Sequence, residues 1–288
     1  MSWFALSLAA ACTQAVQFAV VKGRAQQIPP LVIVAWTQAV AFAGWVVFFL
    51  VSNHSFAAPL RTWPAIVASS LLVTGMGALI ARASARGDIS IVGPILALSP
   101  VFTVLPDAAL SGTLPSPLGW LGLGLSMIGT LSLSSGAGAA ASLRALFARR
   151  DALDALGAAI LLGVLGAVDR WGALAIGSPS YLVCSHGATA LLASALALAT
   201  APAGLAASAS PRNVVTVVSH GLLGFAGTGM QTTALTLAPA AYVNAIRRMS
   251  AVVAVLLGRA LFREPDLGRR LLSALLACAG AACLLLAK

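Results

Sequence analysis

Charge is what this sequence has least of. Seven of its 288 residues are acidic and 8% are charged at all, against roughly 25% in an ordinary soluble domain. With 60% hydrophobic residues and a mean hydropathy of +0.98, a water-soluble globule is excluded, and lipid must be the solvent for most of the surface. The four cysteines, Cys12, Cys184, Cys278 and Cys283, all sit in apolar runs without the paired Cys/His spacing that zinc requires, so no metal site is expected. No glycine-rich phosphate-cradling loop is present, which argues against ATP-driven work, and no cofactor is expected. No basic residue precedes Lys22, so the first apolar segment reads as a retained helix, and Leu8 to Cys12 matches a lipoprotein cleavage site only loosely.

Ten apolar segments fill the chain, at about 3–21, 31–51, 63–82, 89–110, 118–135, 155–175, 181–200, 213–233, 239–261 and 268–287. Turn chemistry separates them, for example Ile28-Pro29-Pro30, Pro115-Ser116-Pro117, Ser178-Pro179-Ser180 and Glu264-Pro265-Asp266. The segments fall into two sets of five, and the second echoes the first at an offset of about 151 residues: Ser99 matches Ser250, and Gly129 matches Gly280. An odd number of crossings inverts the second copy. The expectation is therefore an all-α membrane protein of ten transmembrane helices in two inverted five-helix repeats, 1–135 and 154–288, joined by a linker at 136–153.

The net charge of +10 is spread over loops rather than gathered on one face, so no nucleic-acid partner is implied. Twelve of the seventeen Lys and Arg fall in loops after odd-numbered segments, against Arg61, Arg170 and Lys288 on the other side. Cytoplasmic loops collect Lys and Arg, which places both termini on the non-cytoplasmic side of the cytoplasmic (inner) membrane.

Arg247 and Arg248 lie about eight residues into segment 9, roughly 12 Å down a helix. Cations at that depth cost about 2.5–3.5 kcal/mol each on insertion scales and need a polar cavity, an anion or a carboxylate to be retained. Two readings stand: one Arg contacts an anionic substrate, or one reaches the interface while the other pairs with Asp169. Adjacent residues point about 100° apart, so at most one is expected to face the cavity axis. The first turn after Pro239 also offers free N–H groups to an anion. Lys22 and Arg170 occupy similar places in the two halves, either as gate-side bases or as plain interface anchors.

Asp107 and Asp169 are the acids placed within spans; either could relay protons, and His186 and His220 could titrate, while Asp169 could equally neutralise a base. Gly221, Gly224 and Gly227 repeat at three-residue spacing, with Gly229 beyond; Gly227 and Gly229 permit close approach of a ligand or of a neighbouring helix. Pro94, Pro100 and Pro106 should kink segment 4.

The stretch from Ala234 to Leu286, with YVNAIRRMSAVVAVLL at its centre, resembles the closing segments of the drug/metabolite transporter superfamily, EamA-like branch. Ala83 to Leu133, including SARGDISIVGPILALSPVF, is similar to the matching part of the first repeat. The resemblance implies an exporter or exchanger of small metabolites with a cavity lined mainly by helices 1, 3, 4, 6, 8 and 9. It also matches Glu264 to an acid ending the ninth helix, with Thr113 in the corresponding first-half place, and Asp169-Arg170 to an Asp-Lys pair. The basic pair on segment 9 is similar to phosphate-holding cations of the sugar-phosphate branch.

Together these readings point to a secondary transporter, not an enzyme, that moves a small polar, anionic metabolite by alternating access. Its partners are that small molecule and the lipid bilayer, and a homodimer is left open. A flippase for a lipid or lipid-linked carrier is the alternative. A polytopic enzyme is weaker, because no two intramembrane acids stand close enough in sequence to clasp a metal.

Overall fold

An apolar run in lipid can satisfy its own backbone only as a helix or within a closed barrel, and these runs carry no strand-like alternation. The computed structural model describes residues 2–24, 28–52, 55–56, 58–86, 95–112, 114–134, 150–250 and 267–287, and among them all regular structure is helical. The elements are α1 (Trp3–Arg24), α2 (Pro30–Ser52), α3 (Trp63–Arg86), α4 (Ser99–Ser111), α5 (Pro117–Ser134), α6 (Arg150–Ile176), α7 (Ser178–Thr200), α8 (Pro202–Ser208), α9 (Pro211–Leu237), α10 (Ala240–Arg248) and α11 (Leu267–Leu286). Pro30–Ser52, Leu60–Ile80, Arg150–Ile176 and Ser178–Thr200 are long and apolar enough to cross a membrane, and Pro117–Gly129 and Leu275–Leu286 are shorter apolar stretches. Leu50, Val51, Leu105 and Leu191 project outward, as a lipid-facing surface requires.

Four local features stand out, the first at a proline expected to kink its segment and the other three beyond the sequence expectation. Segment 4 is broken: Ala97 and Leu98 form a turn before α4 begins, because Pro100 lacks the N–H a continuous helix would use and fits best in a first turn. Segment 9 is broken at the matching place, since α10 ends at Arg248 and Met249 donates to Ile246 in a tighter turn of 2.9 Å. The short α8 was not expected; it tucks between α7 and α9, where Ser208 accepts from the Trp36 indole at 2.9 Å. Finally, α6 starts at Arg150, inside the stretch read as linker, with Asp151 in its first turn, where a negative charge suits the helix dipole.

Helix pairing follows a recurring pattern. α5 packs along α11, α2 along α7, α3 along α6, α1 along α9, α4 against α6 and α1 against α10. The α5–α11 crossing is close because Gly122 and Gly280 face each other: a Cβ on Gly122 would come within 2.9 Å of the Gly280 carbonyl oxygen. Gly177 makes the one-residue turn between α6 and α7 with φ of 80°, a conformation side chains resist.

One end of the bundle gathers Trp3, Ser116, Tyr242 and Ala287; the Tyr242 hydroxyl accepts from Ser116 N–H at 3.3 Å, and the Trp3 and Tyr242 rings lie 6.4 Å apart. This is the terminal face. The opposite face carries Pro29, α8 and the Arg82–Asp154 contact of 3.9 Å.

Candidate functional site

The site is built around the short helix α10. Its residues Ala240 through Ile246 are all buried, so it is wedged in the bundle rather than laid on its surface. Three contacts hold it. Asp107 of α4 accepts from the Ala240 N–H at 2.7 Å, capping the helix from a different element. Asn244 donates to Thr103 Oγ1 at 3.0 Å and accepts from Gln231 at 3.4 Å. The helix N-terminus expected to receive an anionic ligand is therefore already taken by an internal carboxylate.

At the other end of α10, Arg247 and Arg248 both border a central cavity of about 320 Å³. Their position in the last turn suits the helix dipole, and the Nε of each is buried without a hydrogen-bond partner. Among the described residues no ion pair within 4 Å joins either to Asp169, which borders the same cavity. The expectation that one of the two would turn away is not met. α10 ends at Arg248, and both side chains reach the same space.

Asp169 of α6 borders that space too. Its Oδ1 accepts from Ser69 at 2.9 Å and from Tyr181 at 2.7 Å, which fixes the carboxylate against α3 and α7. Its neighbour Arg170 points elsewhere: one guanidinium nitrogen lies 2.9 Å from Asp107 Oδ1, and Nε donates to the Leu235 carbonyl at 3.1 Å. Asp107 thus has both oxygens engaged.

A second cavity of about 220 Å³ shares Gln17, Gln38, His186, His220, Thr228 and Arg247 with the first. Apart from Arg247, its polar wall consists of amides, hydroxyls and two histidines. His186 is held between Gln38 Oε1 and Thr228 Oγ1, and His220 Nδ1 meets Thr37 at 2.9 Å while its carbonyl accepts from Gln17 at 3.0 Å. Gln14, at the edge of the larger cavity, keeps its amide oxygen unpaired.

Helices 1, 3, 4, 6, 8 and 9 of the expected numbering all contribute to the lining, through Gln14, Ser69, Leu96, Asp169, Thr228 and Arg247 among others. Helices 2 and 7 contribute as well, through Gln38 and His186. Gly227 and Gly229 face other helices: a Cβ on the first would meet Thr13 Oγ1 at 2.6 Å, and on the second the Trp45 ring at 2.9 Å. They serve helix packing, and neither borders the cavity. Lys22 ends α1, and its side chain lies outside the described residues, as do Glu264 and Thr113.

The amides Gln14, Gln17, Gln38 and Gln231 are cavity residues the sequence reading passed over. A signal existed: an uncharged amide inside an apolar span is costly unless it meets a partner or a polar space.

Residues 1–135 match the EamA-like transporter family. That match covers the first 135 of the chain's 288 residues. A solved crystal structure of a protein 19% identical to this EamA-like chain covers 99% of it, and 98% of its own length, with a TM-score of 0.79, so the same fold extends through the second half. No curated protein matches the chain. Members of the matched family are membrane transporters, and the apolar helices make this chain a multi-pass membrane protein.

Proposed function

We propose that this transporter carries a small polar, anionic metabolite across the cytoplasmic membrane by secondary, alternating-access transport, as an exporter or exchanger. The observation that carries the reading is the pair of guanidinium groups, Arg247 and Arg248, bordering a central cavity with unpartnered Nε donors. Unpaired cations in a low-dielectric site are stabilised most by an anion that accepts from them in two-point fashion. Ser69, Tyr181 and the glutamines supply neutral donors and acceptors for the rest of the substrate.

The wider architecture in this reading is ten spans in two inverted repeats, 1–135 and 154–288. The pairing pattern supports it: under an exchange of halves, α1 with α9 becomes α6 with α3, α4 with α6 becomes α10 with α1, and α5 with α11 maps onto itself. The two helix breaks, at Leu98 and Met249, also correspond at the same offset of about 151 residues. Both termini face away from the cytoplasm.

Counterflow in proteoliposomes loaded with candidate organic anions, comparing the native chain with Arg247→Ala and Arg248→Ala, tests the proposal. Loss of flux in a variant that remains monodisperse in detergent supports it. Unchanged flux in both variants rules it out, and translocation of a labelled lipid headgroup without solute accumulation would point to a flippase instead.

A further inference from the structure

On α6 and α9 a buried charged knot lies between the cavity and the terminal face. Thr232 and Asp169 are the last cavity residues on α9 and α6; Leu235 lies three residues beyond the first, and Arg170 directly follows the second. Arg170 there joins Asp107 of α4 at 2.9 Å, with the two side chains only 13% and 4% exposed, and also donates to the Leu235 carbonyl. The second Asp107 oxygen accepts from the first N–H of α10. Four helices, one from the first half of the chain and three from the second, are thus tied through a single carboxylate. Beside it Leu6, Ala234, Leu235, Ala238, Ala240 and Val243 form a buried apolar cluster.

Resting on the alternating-access reading above, we propose that Asp107 and Arg170 form the gate that seals the cavity from the terminal face, and that their bond opens when the cavity is presented to that face. A rocking motion of the two halves has to separate α4 from α6 and α10 at this level. The knot suits that task because it is directional and charge-assisted, strong while formed and without a graded partial state, whereas the apolar cluster beside it can slide. Asp107 also positions the Arg pair: it caps the helix that carries Arg247 and Arg248, so opening the gate releases the N-terminus of the substrate-bearing helix.

The test uses the full chain with its four cysteines replaced and a single reporter, Thr232→Cys, reconstituted in liposomes. A membrane-impermeant methanethiosulfonate is applied from each face in turn. Asp107→Asn keeps an oxygen for the Ala240 N–H but gives up the charge, and Arg170→Lys keeps the charge but gives up the second bond. Both are expected to raise the labelling rate from the terminal face, by roughly tenfold for Asp107→Asn and less for Arg170→Lys, since a population shift of that size needs only part of such a bond. Labelling from the opposite face should stay equal or fall, which also reports an intact fold. Rates from both faces that neither substitution changes would overturn the gate alone. Labelling from one face only, in every variant, would overturn alternating access itself.

Discussion

At the scale of single residues, the site rests on two arginines whose buried Nε atoms have no hydrogen-bond partner. Removing one member of a desolvated charge contact costs about 2–5 kcal/mol, so Arg247→Ala or Arg248→Ala should reduce substrate affinity roughly 30-fold or more. Isothermal titration in detergent would read this directly, and an affinity within threefold of the native value would count against the assignment. Asp169 acts in the opposite sense. Its carboxylate faces the same space as the arginines and repels an incoming anion, so Asp169→Asn should bind the anion more tightly while keeping the Ser69 and Tyr181 contacts through its amide oxygen. Weaker binding in that variant would mean that Asp169 itself grips a cationic part of the substrate. The arginines and Asp169 were legible in the sequence because charge inside an apolar span is expensive. The glutamines were not picked out, because an amide carries no charge and is easily lost among apolar neighbours. Asp107 and Arg170 were seen as charged residues, but their bond could not be, since 63 residues separate them.

At the scale of helices, small residues set where elements touch. Gly280→Leu would drive a side chain into the Gly122 and Ser126 backbone of α5, and overpacking of that kind costs about 1–3 kcal/mol. A lower thermal midpoint in detergent is expected, and an unchanged midpoint would show that this crossing relaxes freely. Gly227→Ala should separate packing from binding. Its Cβ would press on Thr13, so stability should fall while anion affinity is retained; the reverse result would return Gly227 to the binding surface. Segment positions were readable from hydropathy, since about 20 apolar residues are needed for each crossing. The breaks were less so. Pro100 signalled the first, whereas nothing in the residues around Met249 marks the second.

At the scale of the whole molecule, one helix break in each half of the chain lies beside the shared cavity: Leu96 precedes one break and Arg247 and Arg248 the other. The proposed duplication rests in sequence on a repeated pattern, and the pairing of α1 with α9 and α3 with α6 needs three dimensions, because both halves are rich in the same small residues. Sidedness is open to measurement. Single cysteines at Ala209 and Ser116 should label from the cytoplasmic and outer faces respectively, and the opposite result would invert the topology that the Lys and Arg distribution implies.

The central claim, that an anion is bound between the two arginines, is tested most directly by anion-dependent thermal stabilisation of the purified protein in detergent. The panel comprises phosphate, sulfate, small mono- and dicarboxylates and phosphorylated sugars, each compared with its effect on the Arg247→Gln/Arg248→Gln double variant. Binding to the native state alone stabilises by RT ln(1 + [L]/Kd), so a ligand at 100 times its Kd adds about 2.7 kcal/mol. The account predicts at least one anion that raises the native midpoint in a saturable manner and leaves the double variant unmoved. Equal shifts in both proteins, or none with any anion of the panel, would contradict it.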